Sequence, residues 1–296
     1  MTVAVVGVFG AVPGVVQSGR YLRFSVYPDV FTVMAALAIG YWYLVTRVGP
    51  ARGGVTTRRQ AVWWYASVLT MFVFAEWPIH PLAEHYSYAV HMLEHEVFVF
   101  AAAPMMLLGI PDWLMRWAVV ERRWYGVVRA LTRPVPAGIF YTVVLLLSHW
   151  PAIVNESTHN EPFHFSVHVV LFASGLVFWM PLINRMPEFA RTSRPTKILY
   201  LFVTSIPATL PTIMLIFTTH VLYTAYIGGP QYLGWSNKTD QEMAGAIMGT
   251  FVSGYIWCVV TYHFFAWYAE ERRLEGTVGV LADDLTWADV ERELSR

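Results

Sequence analysis

The chain is 296 residues long, 56% hydrophobic, 16% aromatic and only 14% charged, with 20 Lys/Arg balancing 20 Asp/Glu. Soluble domains carry roughly 25% charged residues, so this composition excludes a disordered chain, a nucleic-acid binder and an ordinary soluble enzyme, and points to a polytopic membrane protein. The single cysteine, Cys258, excludes a disulfide framework, a CxxC redox pair and a thiolate-only metal site.

The first 17 residues (MTVAVVGVFGAVPGVVQ) are apolar, interrupted by Gly and Pro, and lack the basic start of a secretory signal. They read as an interfacial or re-entrant segment, with an eighth short span as the alternative. Seven stretches then approach the length of about 20 apolar residues that a bilayer core requires. They are Pro28–Thr46, Gln60–Trp77, Tyr88–Ile110, Val135–Ile153, Phe163–Ile183, Ile198–Tyr223 and Gln241–Tyr268. Unpaired backbone groups find no water in lipid, so each must be helical. The expected fold is therefore all-α, a seven-helix membrane bundle over residues 28–269. The apolar segment 1–27 precedes it and a polar tail, 270–296, follows. Pro207 and Pro211 should kink the sixth span. The end of the tail, DDLTWADVERELSR, reads as solvated chain or a short amphipathic helix.

Orientation follows from the basic residues. Arg47, Arg52, Arg58 and Arg59 follow the first span; Arg116, Arg122, Arg123, Arg129 and Arg133 follow the third. Arg185, Arg191, Arg194 and Lys197 follow the fifth, and Arg272, Arg273, Arg292 and Arg296 close the chain. That places 17 of the 20 on one side, against Arg20, Arg23 and Lys238 on the other. The basic side is expected to be cytoplasmic, with the N-terminus outside and the C-terminus inside.

With this orientation, nine of the ten histidines fall at the outer end, and only His263 lies toward the cytoplasm. His80 and His85 end the second span, His91 and His95 begin the third, His149 ends the fourth, His159 follows it, His164 and His168 begin the fifth, and His220 ends the sixth. Nine carboxylates share that face: Asp29, Glu76, Glu84, Glu94, Glu96, Glu156, Glu161, Asp240 and Glu242. Such a surface attracts cations.

Two pairs, His91-Met-Leu-Glu-His95 and His164-Phe-Ser-Val-His168, have the i, i+4 spacing that puts both rings on one helix face. Imidazole suits copper, zinc and iron, and ionisable residues within spans are costly and usually functional. His91, His95, His149, His164 and His168 are the primary candidate ligands. Glu94, on the same turn as the first pair, would ligate or orient a ring. His80, His220, Asp240 and the thioether of Met92 are further candidates, Met92 as a soft ligand for Cu(I). Glu76, four residues before His80, should share its helix face. No residue set reads as catalytic.

At these residues the sequence resembles a known family, the CtaG-like cytochrome c oxidase assembly factors of bacterial plasma membranes. The resemblance spans roughly residues 60–268. It is carried by His91-Met92-x-x-His95 with Ala103-Pro104 and Leu108-Gly109, His149-Trp150-Pro151, His164-x-x-x-His168, Phe178-Trp179, Tyr223 and Tyr226, and Asp240-Gln241-x-x-Ala244-Gly245 leading to Met248. The chain departs from the family pattern at Glu94, where Gln is common, at Met105, where a second proline is frequent, and at Gly249, where Trp is usual.

The resemblance implies seven spans and a non-catalytic factor of a bacterial plasma membrane. Such a factor helps copper reach the catalytic subunit of a heme-copper oxidase, alone or with other assembly factors. With no thiol pair, copper would bind transiently and leave by exchange among imidazole, thioether and carboxylate. Two alternatives stand beside this reading. One is a structural or accessory subunit of a larger respiratory or copper-dependent complex. The other is a heme- or di-iron-binding redox protein, although the di-iron enzymes need HH doublets, which this chain lacks.

Overall fold

The computed structural model describes residues 24, 26–189, 191–284, 291–292 and 294–295. The apolar segment 1–17 and most of the stretch 283–296 lie outside the described residues. Every regular element among the described residues is helical. In chain order the principal helices are α1 (Pro28–Ala51), α2 (Arg58–Ala75), α3 (Ile79–His85), α4 (Tyr88–Gly109), α5 (Tyr125–Leu131), α6 (Pro134–Ser148), α7 (Pro151–Ser157), α8 (Glu161–Ile183), α9 (Arg194–Phe217) and α10 (Asn237–Glu275). Short helical turns at Asp112–Met115 and Arg116–Val120 connect α4 to α5.

The sequence supplies the helix starts. Thr57 opens α2 with a reciprocal cap, accepting from the Gln60 amide at 3.2 Å and donating its own amide to Gln60 Oε1 at 2.9 Å. Ser87, Asn160, Ser193 and Ser236 each accept from an amide in the first turn of α4, α8, α9 and α10. Proline stands in the first turn of α1, α6, α7, α8 and α9, where its missing N–H costs nothing.

Five helices, α1, α4, α8, α9 and α10, are long and apolar enough to cross a membrane, or six if α5 and α6, which meet at 82°, form one span. The sequence had suggested seven. The second expected span is helical as α2, but it opens with Arg58, Arg59 and Gln60, which lower its mean hydropathy. The fourth, expected to reach Ile153, stops at Ser148 and restarts as α7. Pro151 forces the preceding Trp150 into an extended conformation (φ −68°, ψ 129°). The sixth ends at Phe217 rather than Tyr223, and Thr218 is extended. Pro207 and Pro211 lie inside α9 as expected.

The helix bearing the first histidine pair is the hub. Within its apolar window 72% of α4 is buried, against 11% of α1. Below the histidines, Phe100 of α4, Tyr141 of α6, Phe178 and Trp179 of α8 and Tyr200 of α9 form one core cluster. Two of its polar atoms bond helix carbonyls: the Trp179 indole donates to Val99 O at 2.8 Å, and the Tyr200 hydroxyl to Phe178 O at 2.9 Å. At the opposite end of α4, a Cβ on Gly109 would lie 2.5 Å from the Trp64 backbone nitrogen, so only glycine lets α2 come this close. Leu199, Phe202, Ile206, Leu210 and Ile213 of α9 face outward and exposed, a surface that suits lipid.

The arginine-bearing end is held by ion pairs. Arg116 reaches Glu188 through Nε at 2.7 Å and Nη2 at 2.6 Å, and Arg194 meets Glu270 at 2.8 and 2.7 Å. Glu188 lies between α8 and α9. Its own backbone amide and the Arg116 guanidinium together hold its carboxyl below the usual range.

Candidate metal centre

Two imidazole pairs form directly from helix periodicity. The rings of His91 and His95 on α4 are 4.3 Å apart between centroids, and those of His164 and His168 on α8 are 4.4 Å apart. The packing of α4 against α8 turns the two pairs toward each other. His95 Nε2 and His168 Nε2 stand 3.2 Å apart, and the nitrogens of His91, His95 and His168 all lie within 4.8 Å of one another. A second group adjoins the first: ligand atoms of His80 and Glu84 on α3 and of His164 on α8 lie within the same 4.8 Å limit.

Glu94 joins the two groups. It is fully buried, with its Oε1 3.1 Å from His80 Nδ1 and 3.7 Å from His168 Nδ1. Glu94 is thus hydrogen-bonded to a ring of the second group and lies near a ring of the first. His80 belongs to α3, outside the candidate spans. Burial pulls its pKa down, but the carboxylates of Glu94, Glu84 and Asp29 reverse this and raise it to about 9.

The donor set fits a cation. Among the described residues, His91 Nδ1, His95 Nδ1 and both nitrogens of His164 are buried without a hydrogen-bond partner. Leaving one buried polar atom unpaired costs about 1–3 kcal/mol, so imidazole lone pairs gathered here suit an ion. Two nitrogens bound to one tetrahedral ion at about 2.0–2.1 Å would sit ~3.3 Å apart, close to the observed 3.2 Å between His95 and His168. Beside the His80/Glu84/His164 group opens a cavity of about 650 Å³. Asp29, Glu84, Glu94 and Glu161 line it, and no Lys or Arg does among the described residues. These carboxylates outnumber the one imidazole held protonated, His80, and a net negative wall concentrates cations.

The other candidates are placed differently. His149, at the end of α6, is buried beside the first group, its ring 6.5 Å from that of His95. Its Nδ1 donates to Leu145 O at 2.7 Å and its Nε2 lies 3.2 Å from Met92 Sδ. His220 falls in the loop after α9, exposed beside Thr218. Asp240 is buried but faces the start of α4, accepting from the Ser87 hydroxyl and, at 2.7 Å, from the Tyr88 amide. It ties α10 to the cap of α4 instead of meeting the imidazoles. Glu76 and His80 do not share a helix: α2 ends at Ala75, and Glu76 is extended. Glu76 accepts instead from the Tyr27 amide. His80 shares a helix turn with Glu84, four residues on, at 3.8 Å. The His-x-x-x-Glu spacing of His80 and Glu84 carries that signal in the sequence, beyond the place of Glu84 in the acidic rim.

The family model for the cytochrome c oxidase caa3 assembly factor, Caa3_CtaG, matches residues 39–270. No curated protein and no solved structure gives a significant match.

Proposed function

The chain belongs to the cytochrome c oxidase caa3 assembly factor family, and from that premise we propose that it accepts copper on the outer face of a bacterial plasma membrane and yields it to the catalytic subunit of a heme-copper oxidase. In this reading the bundle crosses the membrane seven times, with its N-terminus outside and the arginine-bearing end in the cytoplasm. The protein is a non-catalytic carrier, and copper is its cargo.

The observation that carries the proposal is the convergence of His91, His95 and His168 from two helices within 4.8 Å. Imidazole is a good ligand for copper in either common oxidation state. The acidic cavity beside His80, Glu84 and His164 supports a path by which the ion approaches. A carrier must also release what it holds. Three neutral rings with a carboxylate behind them, and no thiolate, bind less tenaciously than a closed cysteine site.

The test is a strain whose only copy of the gene carries His91→Ala and His95→Ala. Its oxidase should be assembled with depleted copper and reduced activity, and added copper should restore part of both. Oxidase with full copper content and activity in that strain refutes the proposal.

A further inference from the structure

The contact between His149 and Met92 carries chemistry that the three-imidazole group does not. Leu145 O is a carbonyl and can only accept, so the 2.7 Å bond from His149 Nδ1 places the ring proton on Nδ1. In the neutral ring this leaves Nε2 with a bare lone pair. That lone pair lies 3.2 Å from the Met92 sulfur, whose lone pairs also have no proton to share. Two donors of electron density thus face each other with nothing positive between them. Both residues are buried, Met92 at 2% and His149 at 3% exposure, and among the described residues no carboxylate pairs with His149 to support a charged ring. Tyr223 fixes the end of α6 by donating its hydroxyl to His149 O at 2.9 Å.

We propose that Met92 Sδ and His149 Nε2 form a separate soft station that takes copper as Cu(I), beside the three-imidazole group. This deepens the copper reading and rests on it. Thioether sulfur is a soft ligand that prefers Cu(I), whereas carboxylates and water suit harder ions. Met92 lies three residues before His95 on α4, so the two share a helix face. The ring of His149 is 6.5 Å from that of His95. An ion passing from the imidazole group to this station therefore moves only a few ångströms. Tyr88, Leu215, Tyr223 and Met248 pack with Met92 in one buried cluster. A buried pocket of apolar and aromatic side chains favours the monovalent ion over the divalent one, since burying charge without a counter-charge costs more as the charge grows.

The experiment is X-ray absorption at the copper edge on the detergent-purified, full-length protein. Copper is supplied in separate samples as Cu(I), anaerobically as its acetonitrile complex, and as Cu(II), aerobically as its sulfate, to wild type, Met92→Leu and His91→Ala/His95→Ala. The wild type should show a sulfur scatterer in the copper shell. Met92→Leu should lose that scatterer while binding Cu(II) as the wild type does. The double variant should keep the sulfur when loaded with Cu(I). A wild-type shell of nitrogen and oxygen alone overturns the soft station and leaves the imidazole site standing. A wild type that holds no copper in either oxidation state overturns both. The wild-type spectrum decides the point even if Met92→Leu fails to fold.

Discussion

His95 Nε2 and His168 Nε2 stand 3.2 Å apart, although 73 residues separate them in the chain. Each is the inner member of its own i, i+4 pair, so the contact brings two helix faces to one point. If both nitrogens hold the same ion, either His95→Ala or His168→Ala should weaken copper binding by more than about 100-fold, since losing even an outer-shell partner costs 10–100-fold. The double variant should be little worse than the singles, because residues acting on one ion are non-additive. Competition titration with a copper chelator measures all three, and additive losses would separate the two residues.

Glu94 should act through the rings it touches. Glu94→Gln keeps the shape but removes the carboxylate that meets His80 at 3.1 Å and His168 at 3.7 Å. Copper affinity should fall by about 10–100-fold while stoichiometry is retained. Gln has nearly the shape and volume of Glu, so the variant should fold. Unchanged affinity would show that Glu94 orients nothing the metal needs.

His80 gives the metal-free protein a pH dependence. Its folded pKa is raised to about 9 from an ordinary 6.5 by Glu94, Glu84 and Asp29, against the opposing effect of burial. A raised histidine pKa contributes stability that is complete below about pH 6.5 and disappears as pH climbs through about 9. Thermal unfolding of metal-free protein should therefore show the melting temperature falling between neutral pH and about pH 9, with a smaller fall in His80→Gln. Identical slopes in the two proteins would contradict this.

Asp240 is a structural residue by its contacts, and its removal should separate stability from copper binding. Asp240→Ala leaves the Tyr88 amide and the Ser87 hydroxyl without their buried acceptor, at a cost of about 1–3 kcal/mol. The melting temperature should drop, while the copper bound per folded chain stays as in the wild type. Loss of copper from protein that remains folded would place Asp240 in the metal site after all.

Much of this was legible in the sequence. The two histidine pairs announced themselves because helix periodicity is local. Composition and the length of the apolar runs found the helices, and the family resemblance agrees with the matched range. What escaped depends on contacts between elements distant in sequence. His80 was among the candidate ligands, and its spacing to Glu84 puts the two on one helix turn, but that both join His164 follows from how α3 packs beside α4 and α8, which spacing alone does not record. Asp240 reads as a candidate ligand in the sequence, yet it binds the hydroxyl of Ser87, 153 residues away. The break after His149 was written in Pro151, but the apolar run concealed it. The contact between Met92 and His149 crosses from α4 to α6 and required the packed structure.

The decisive measurement is the copper retained by detergent-purified full-length protein after equilibrium dialysis, with wild type beside His91→Ala/His95→Ala. The wild type should hold at least about one copper per chain at micromolar free ion, as a site of three imidazoles predicts, and the double variant should lose the imidazole-bound copper. Equal copper in the two proteins, or none in the wild type, would contradict a role for the converged imidazoles.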